Sequence, residues 1–219
     1  MSFSLIFADE LKGFYKSKVM IFLWIGLPAL AILIHLTTET YEGLPISYIT
    51  ALIVSNLGGL ISAIMLTVNI IHEKDRRVYD LFLIRPIKRW HLLVSKFLSV
   101  YIIVSIACFI AVSLGIMIDV FESQLLLDVF MDQVVDLVII TLSTIAISSA
   151  FGVLIGVISP SIVAGVIIGI FVGQYVIMIP SIPGIFGIDT SAYLVGLIGI
   201  IVTVIMLVLA ILLFNRKQF

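Results

Sequence analysis

Charge is what this sequence has least of. Only 11% of its 219 residues are Asp, Glu, Lys or Arg, against about 25% in a typical soluble domain. The mean hydropathy is +1.33. So little charge excludes a water-soluble globule, because too few polar residues remain to cover the apolar ones. Cysteine is nearly absent too. Cys108 stands alone, so no disulfide can form within the chain, and its apolar surroundings suit a small packing residue.

Catalytic signatures are missing as well. No Gly-x-x-x-x-Gly-Lys-Ser/Thr stretch occurs, so the chain has no P-loop to cradle nucleotide phosphates, and any ATP energy has to come from a partner. There is no Gly-x-Ser-x-Gly nucleophile signature and no His cluster at metal-ligand spacing, so neither an enzyme nor a metal site is expected. Asp9, Glu10, Lys12, Lys16 and Lys18 precede the first apolar run without a small-residue cleavage pattern after it. A cleaved signal peptide is therefore not expected.

What is present is a series of long apolar runs. About 20 such residues cross the hydrocarbon layer as a helix, and six runs are candidates: 19–36, 47–71, 97–118, 137–158, 162–180 and 193–214. The expected class is an all-α polytopic membrane protein, one transmembrane domain over 1–219. None of the six runs contains Asp, Glu, Lys or Arg. The polar groups inside them are His35, Asn56, Asn69, Gln174 and scattered Ser and Thr. Asn56, Asn69 and Gln174 are the candidates for a polar pathway, and interhelical hydrogen bonding is the plainer use of the two asparagines.

The charges between the runs are sorted by sign. All twelve Lys and Arg residues fall before run one, between runs two and three, or after run six. The alternate segments hold acids alone: Glu39 and Glu42, then Asp119, Glu122, Asp128, Asp132 and Asp136, then Asp189. Because Lys and Arg are retained on the cytoplasmic side, both termini and the loop at 73–96 are expected to face the cytoplasm of a cell membrane.

Smaller patterns refine this. Phe3, Phe7, Leu11 and Phe14 recur at helical spacing, which predicts an amphipathic helix over 1–18 lying in the interface. Gly152 and Gly156, and then Gly165, Gly169 and Gly173, repeat every four residues, the spacing that lets helices approach closely within one chain or between two. Pro28 is expected to bend the first span. The stretch "IPSIPGIFGIDT" is expected to be an outer loop, and Asp128, Asp132 and Asp136 to form a solvated acidic stripe if their segment is helical.

Seven of the twelve basic residues lie in one loop, "EKDRRVYDLFLIRPIKRWHLLVSK". Topology accounts for its charge but not for Val78, Leu81 and Phe82, which recur at helical spacing in a segment expected outside the membrane. Pro86 divides the loop, ending one helix near Ile84 or Arg85 and opening another. Trp90, Leu93, Val94 and Phe97 form an apolar stripe into the third run.

At these residues the chain resembles the ABC-2 family of ABC transporter permeases, whose corresponding loop often looks like ERExGTLEQLLVTPLSRWELLLGK. Glu73, Asp80, Leu83, Pro86, Arg89, Trp90, Leu92, Leu93 and Lys96 fall into register without a gap, with Asp80 standing for the usual Glu. The chain departs at Arg77, Val78 and Tyr79, where the family often has Gly-Thr-Leu, and at Ser95. The resemblance implies a coupling helix from about Val78 to Arg85 that docks on a separate ATPase subunit, which would use ATP and Mg. Val78, Leu81 and Phe82 would be the docked face, with Arg76, Arg77 and Arg85 beside it. It also implies a second permease chain, an outward direction of transport, and no cofactor in this chain. Nucleic acid is not among the expected partners. An ion-coupled carrier or channel, independent of any ATPase, is the alternative reading of the same spans, and a structural or sensor subunit is a third.

Overall fold

The structure, a computed structural model, describes residues 3–15, 17–37, 46–76, 89–123, 127–179 and 191–216. Among them there are seven helices and no strand: α1 (Phe3–Tyr15), α2 (Lys18–Thr37), α3 (Ile46–Asp75), α4 (Arg89–Ser123), α5 (Leu127–Ile158), α6 (Ile162–Ile177) and α7 (Ala192–Arg216). This is a helical membrane protein. Five helices, α2, α3, α4, α5 and α7, are long and apolar enough to cross a bilayer. The fifth run of the sequence becomes α6, an apolar helix of 16 residues.

Helices outlast the apolar runs that nucleate them. α3 continues past the run's end at Ile71 through His72, Glu73 and Lys74, and α4 starts at Arg89, well before Phe97. Charged residues with straight side chains are good helix formers, so loss of hydrophobicity alone does not end these helices. The helix expected to open after Pro86 is thus, from Arg89 on, the first turns of one continuous helix with the third run. α2 likewise runs through Pro28 as a single helix. At α6 the start is set locally: Ser161 adopts extended backbone, and its side chain accepts the Ala164 N–H, capping the first turn.

α3 and α5 form the centre. They pack most extensively on each other, with α4 and α6 against α3 and α7 against α5. Glycine permits the central crossing: a Cβ on Gly152 would lie 2.5 Å from the Ala63 carbonyl oxygen and 2.6 Å from its Cα. The same seam carries hydroxyl hydrogen bonds, with Thr67 Oγ1 donating to the Gly152 carbonyl (3.0 Å) and Ser149 to Ser62 (3.1 Å). Buried hydroxyls thus find partners in a seam too tight for larger side chains. Cys108 is fully buried on α4 against Gly58, its Sγ 3.8 Å from the Val54 carbonyl.

The outer faces of α2, α6 and α7 carry large exposed apolar side chains, among them Phe22, Ile25, Phe171, Tyr175, Ile200 and Leu212. In water such a surface would aggregate; it fits a hydrocarbon solvent.

Candidate functional site

The two ends of the bundle are chemically different. At one end Asp119, only 5% exposed, accepts the Ser47 N–H at 2.7 Å, fixing the last turns of α4 to the first turn of α3. The carboxylate satisfies an amide left unpaired at a helix start. At the other end lie Lys74, Glu73, Arg76, Lys96 and Glu10, and there the candidate site is built.

Its centre is Lys96. Along α4 the inward stripe runs Leu92, Leu93, Lys96, Phe97, Val100 and Val104, so the register that buries the apolar residues also buries the lysine. Its exposure is 1%, and its Nζ meets Glu10 Oε1 on α1 at 2.7 Å and Glu73 Oε1 on α3 at 2.5 Å. A buried ammonium without such partners would be strongly disfavoured. Two carboxylates around one ammonium leave a net negative charge, and burial raises the Glu10 carboxyl above its ordinary value; Lys96 opposes that shift, and the charges of Glu73 and Asp9 add to it.

Around this node, α1 packs on α4, Ile6 and Phe14 are its buried apolar residues, and the Phe3 and His91 rings meet edge to face at 5.7 Å. The face of α1 seated on protein thus includes Ile6 and Glu10 with Phe3, Leu11 and Phe14 of the expected stripe. Lys74 Nζ donates to the Ser159 carbonyl at 3.3 Å, linking the end of α3 to the α5–α6 connection.

The predicted coupling residues divide here. Glu73 is part of the node, and Arg76 is exposed at the close of α3, its N–H on the His72 carbonyl. Arg77, Val78, Asp80, Leu81, Phe82, Arg85 and Pro86 lie outside the described residues, as does most of the "IPSIPGIFGIDT" stretch. The loop's two flanks, Glu73 and Lys96, are nonetheless in direct contact.

The candidate pathway residues are not brought together by mutual contact. Asn56 is exposed on α3, its Nδ2 donating to the Leu52 carbonyl at 2.6 Å. Asn69 is half-buried near the basic end of α3, and Gln174 is exposed on α6. Among the spaced glycines, Gly152 faces Ala63, Gly156 faces Ile70, and Gly165 faces Thr67 and Ile71, all closer than a Cβ allows. Gly169 and Gly173 have ordinary room, 3.9 Å to Ile64 and 3.4 Å to Leu60. No group of His, Cys, Asp and Glu able to hold a metal ion occurs among the described residues.

Sequence reasoning counted Lys96 as a loop cation and named Glu10 only among the charges that precede the first apolar run. A charge on the apolar stripe of α4 was the signal that Lys96 turns inward. Its pairing with a carboxylate 86 residues away had none. No protein-family model matches this chain, and no curated protein matches it significantly.

Proposed function

We propose that the chain is the membrane-spanning subunit of an ATP-driven exporter of the ABC-2 permease type. In this reading α6 is the short fifth of six crossings of the plasma membrane, and the sorting of Lys and Arg argues for cytoplasmic termini and a cytoplasmic 73–96 loop. The segment from Val78 to Arg85 docks on a separate ATPase subunit, and a second permease chain completes the path.

The observation that supports this reading most is the Lys96 node. Glu73 and Lys96 are the first and last residues of the motif in register with the ABC-2 loop, and their side chains are ion-paired with each other and with Glu10 on the N-terminal helix. A loop clamped at its base moves with the helices that hold it. That is the mechanical property a coupling element needs, because closure of an ATPase pair has to displace spans rather than fold a slack connection.

Affinity purification of the tagged chain in mild detergent, beside a Leu81→Asp/Phe82→Asp variant, tests it. An ATP-hydrolysing protein is expected with the native chain and not with the variant. If no ATPase is retained across several detergents and lipids while the chain still conducts a solute in vesicles, the ATP-driven reading gives way to a carrier or channel.

A further inference from the structure

A cavity of about 780 Å³ lies between α1, the start of α2 and the basic-end half of α3. Its length along α3, from Ile61 to His72, is about 16 Å at the rise of a helix. The deep wall is apolar, made by Ile61, Ile64, Met65 and Val68 with Phe14 from α1. Polar groups gather at the other end: Asp9 and Glu10 on α1, Asn69 and His72 on α3. Among the described residues no Lys or Arg lines the wall, and the ionic side chains on it are Asp9 and Glu10.

An apolar slot with carboxylates at one end selects by both halves of a ligand. Asp9 is exposed at the polar end, so a neutral apolar solute would gain the apolar wall alone, and an anionic lipid or detergent would meet repulsion. Glu10 is already held by Lys96, so Asp9 is the carboxylate available to a second cation. From this we infer that the cavity binds cationic amphiphiles, molecules with one alkyl or aromatic body and an ammonium head. The body lies along Ile61 to Val68, and the head sits beside Asp9 at the level of Asn69 and His72. The inference deepens the exporter reading by naming a class of solute and rests on it only for transport, since binding requires no ATPase.

Gly13 supplies the means of testing it. It lines the cavity, and a Cβ built there meets nothing within 4 Å. A Gly13→Phe substitution therefore starts from open space at Cβ beside the cavity that its ring is meant to occupy, while replacing a weak helix former in α1. The chain, reconstituted alone in nanodiscs of neutral lipid, would be titrated with a fluorescent single-chain quaternary ammonium probe and with its matched sulfonate, read by anisotropy. The ammonium probe is expected to bind saturably and at least about fivefold more tightly than the sulfonate, since an exposed carboxylate attracts the one and repels the other. Asp9→Asn should narrow that gap by about three- to tenfold, and Gly13→Phe should weaken the ammonium probe by about tenfold or more with the thermal midpoint unchanged or raised. Equal binding of the two probes, absence of saturable binding, or ammonium binding unaffected by Gly13→Phe would each overturn the assignment. Binding as expected in a chain that retains no ATPase would keep the site and remove the exporter.

Discussion

Lys96 is the residue at which packing and charge meet. The helical register that buries Leu93 and Phe97 carries the ammonium inward with them, and only carboxylates on two other helices make the position tolerable. Lys96→Met keeps the volume but leaves Glu10 and Glu73 facing each other unneutralised. It should cost about 3 kcal/mol or more, seen as a lower thermal midpoint in detergent, and addition of Glu10→Gln and Glu73→Gln should restore part of the loss. An equal midpoint for Lys96→Met and the native chain would mean that the node contributes nothing. Glu10 also gives a pH signature. Its carboxyl is raised above the ordinary 4.5, chiefly by burial, so the folded state holds the proton more tightly than the unfolded one. The cost of ionising it is absent below 4.5 and grows as pH rises toward its folded value, so this group lowers stability with rising pH across that window. Glu10→Gln should flatten that part of the pH–stability curve.

Among the helices, the glycines of α5 and α6 differ in what they permit. Gly152 sits against the main chain of Ala63, so Gly152→Ala should destabilise by about 1–3 kcal/mol through forced separation of α3 and α5. Gly169→Ala, with 3.9 Å to its nearest neighbour, should be neutral or stabilising by up to about 1 kcal/mol. Thermal unfolding of the two variants side by side separates a packing glycine from a merely frequent one. The spacing of four was visible in the sequence; which members of the series are pressed against a partner depends on how α5 and α6 rotate against α3, and nothing local encodes that rotation. The helices themselves were legible from apolar runs, since burial in lipid requires such runs without regard to tertiary contacts. Their ends were less so: α3 and α4 pass several residues beyond their apolar segments, because Glu73 and Lys96 find each other across the connection. The N-terminal segment was legible as a helix, but nothing in the sequence singled out Glu10 while its partner was unknown.

At the scale of the molecule, sorted charges become a testable orientation. Cys108 is the only native cysteine and is fully buried, so a single introduced thiol reports its own accessibility. With the termini cytoplasmic, Asp136→Cys should react with a membrane-impermeant maleimide added to intact cells, and Arg76→Cys only after the membrane is opened. The opposite pattern would invert the topology. The bundle turns on the crossing of α3 and α5, and there Gly152 meets main-chain atoms of Ala63. A backbone oxygen is present whatever residue occupies position 63, so no change of that side chain can make room for a Cβ at 152. Over evolutionary time the two positions are therefore expected to drift unequally. Position 63 can sample small residues, whereas position 152 has no compensating partner and should stay glycine for as long as the two helices cross where they do.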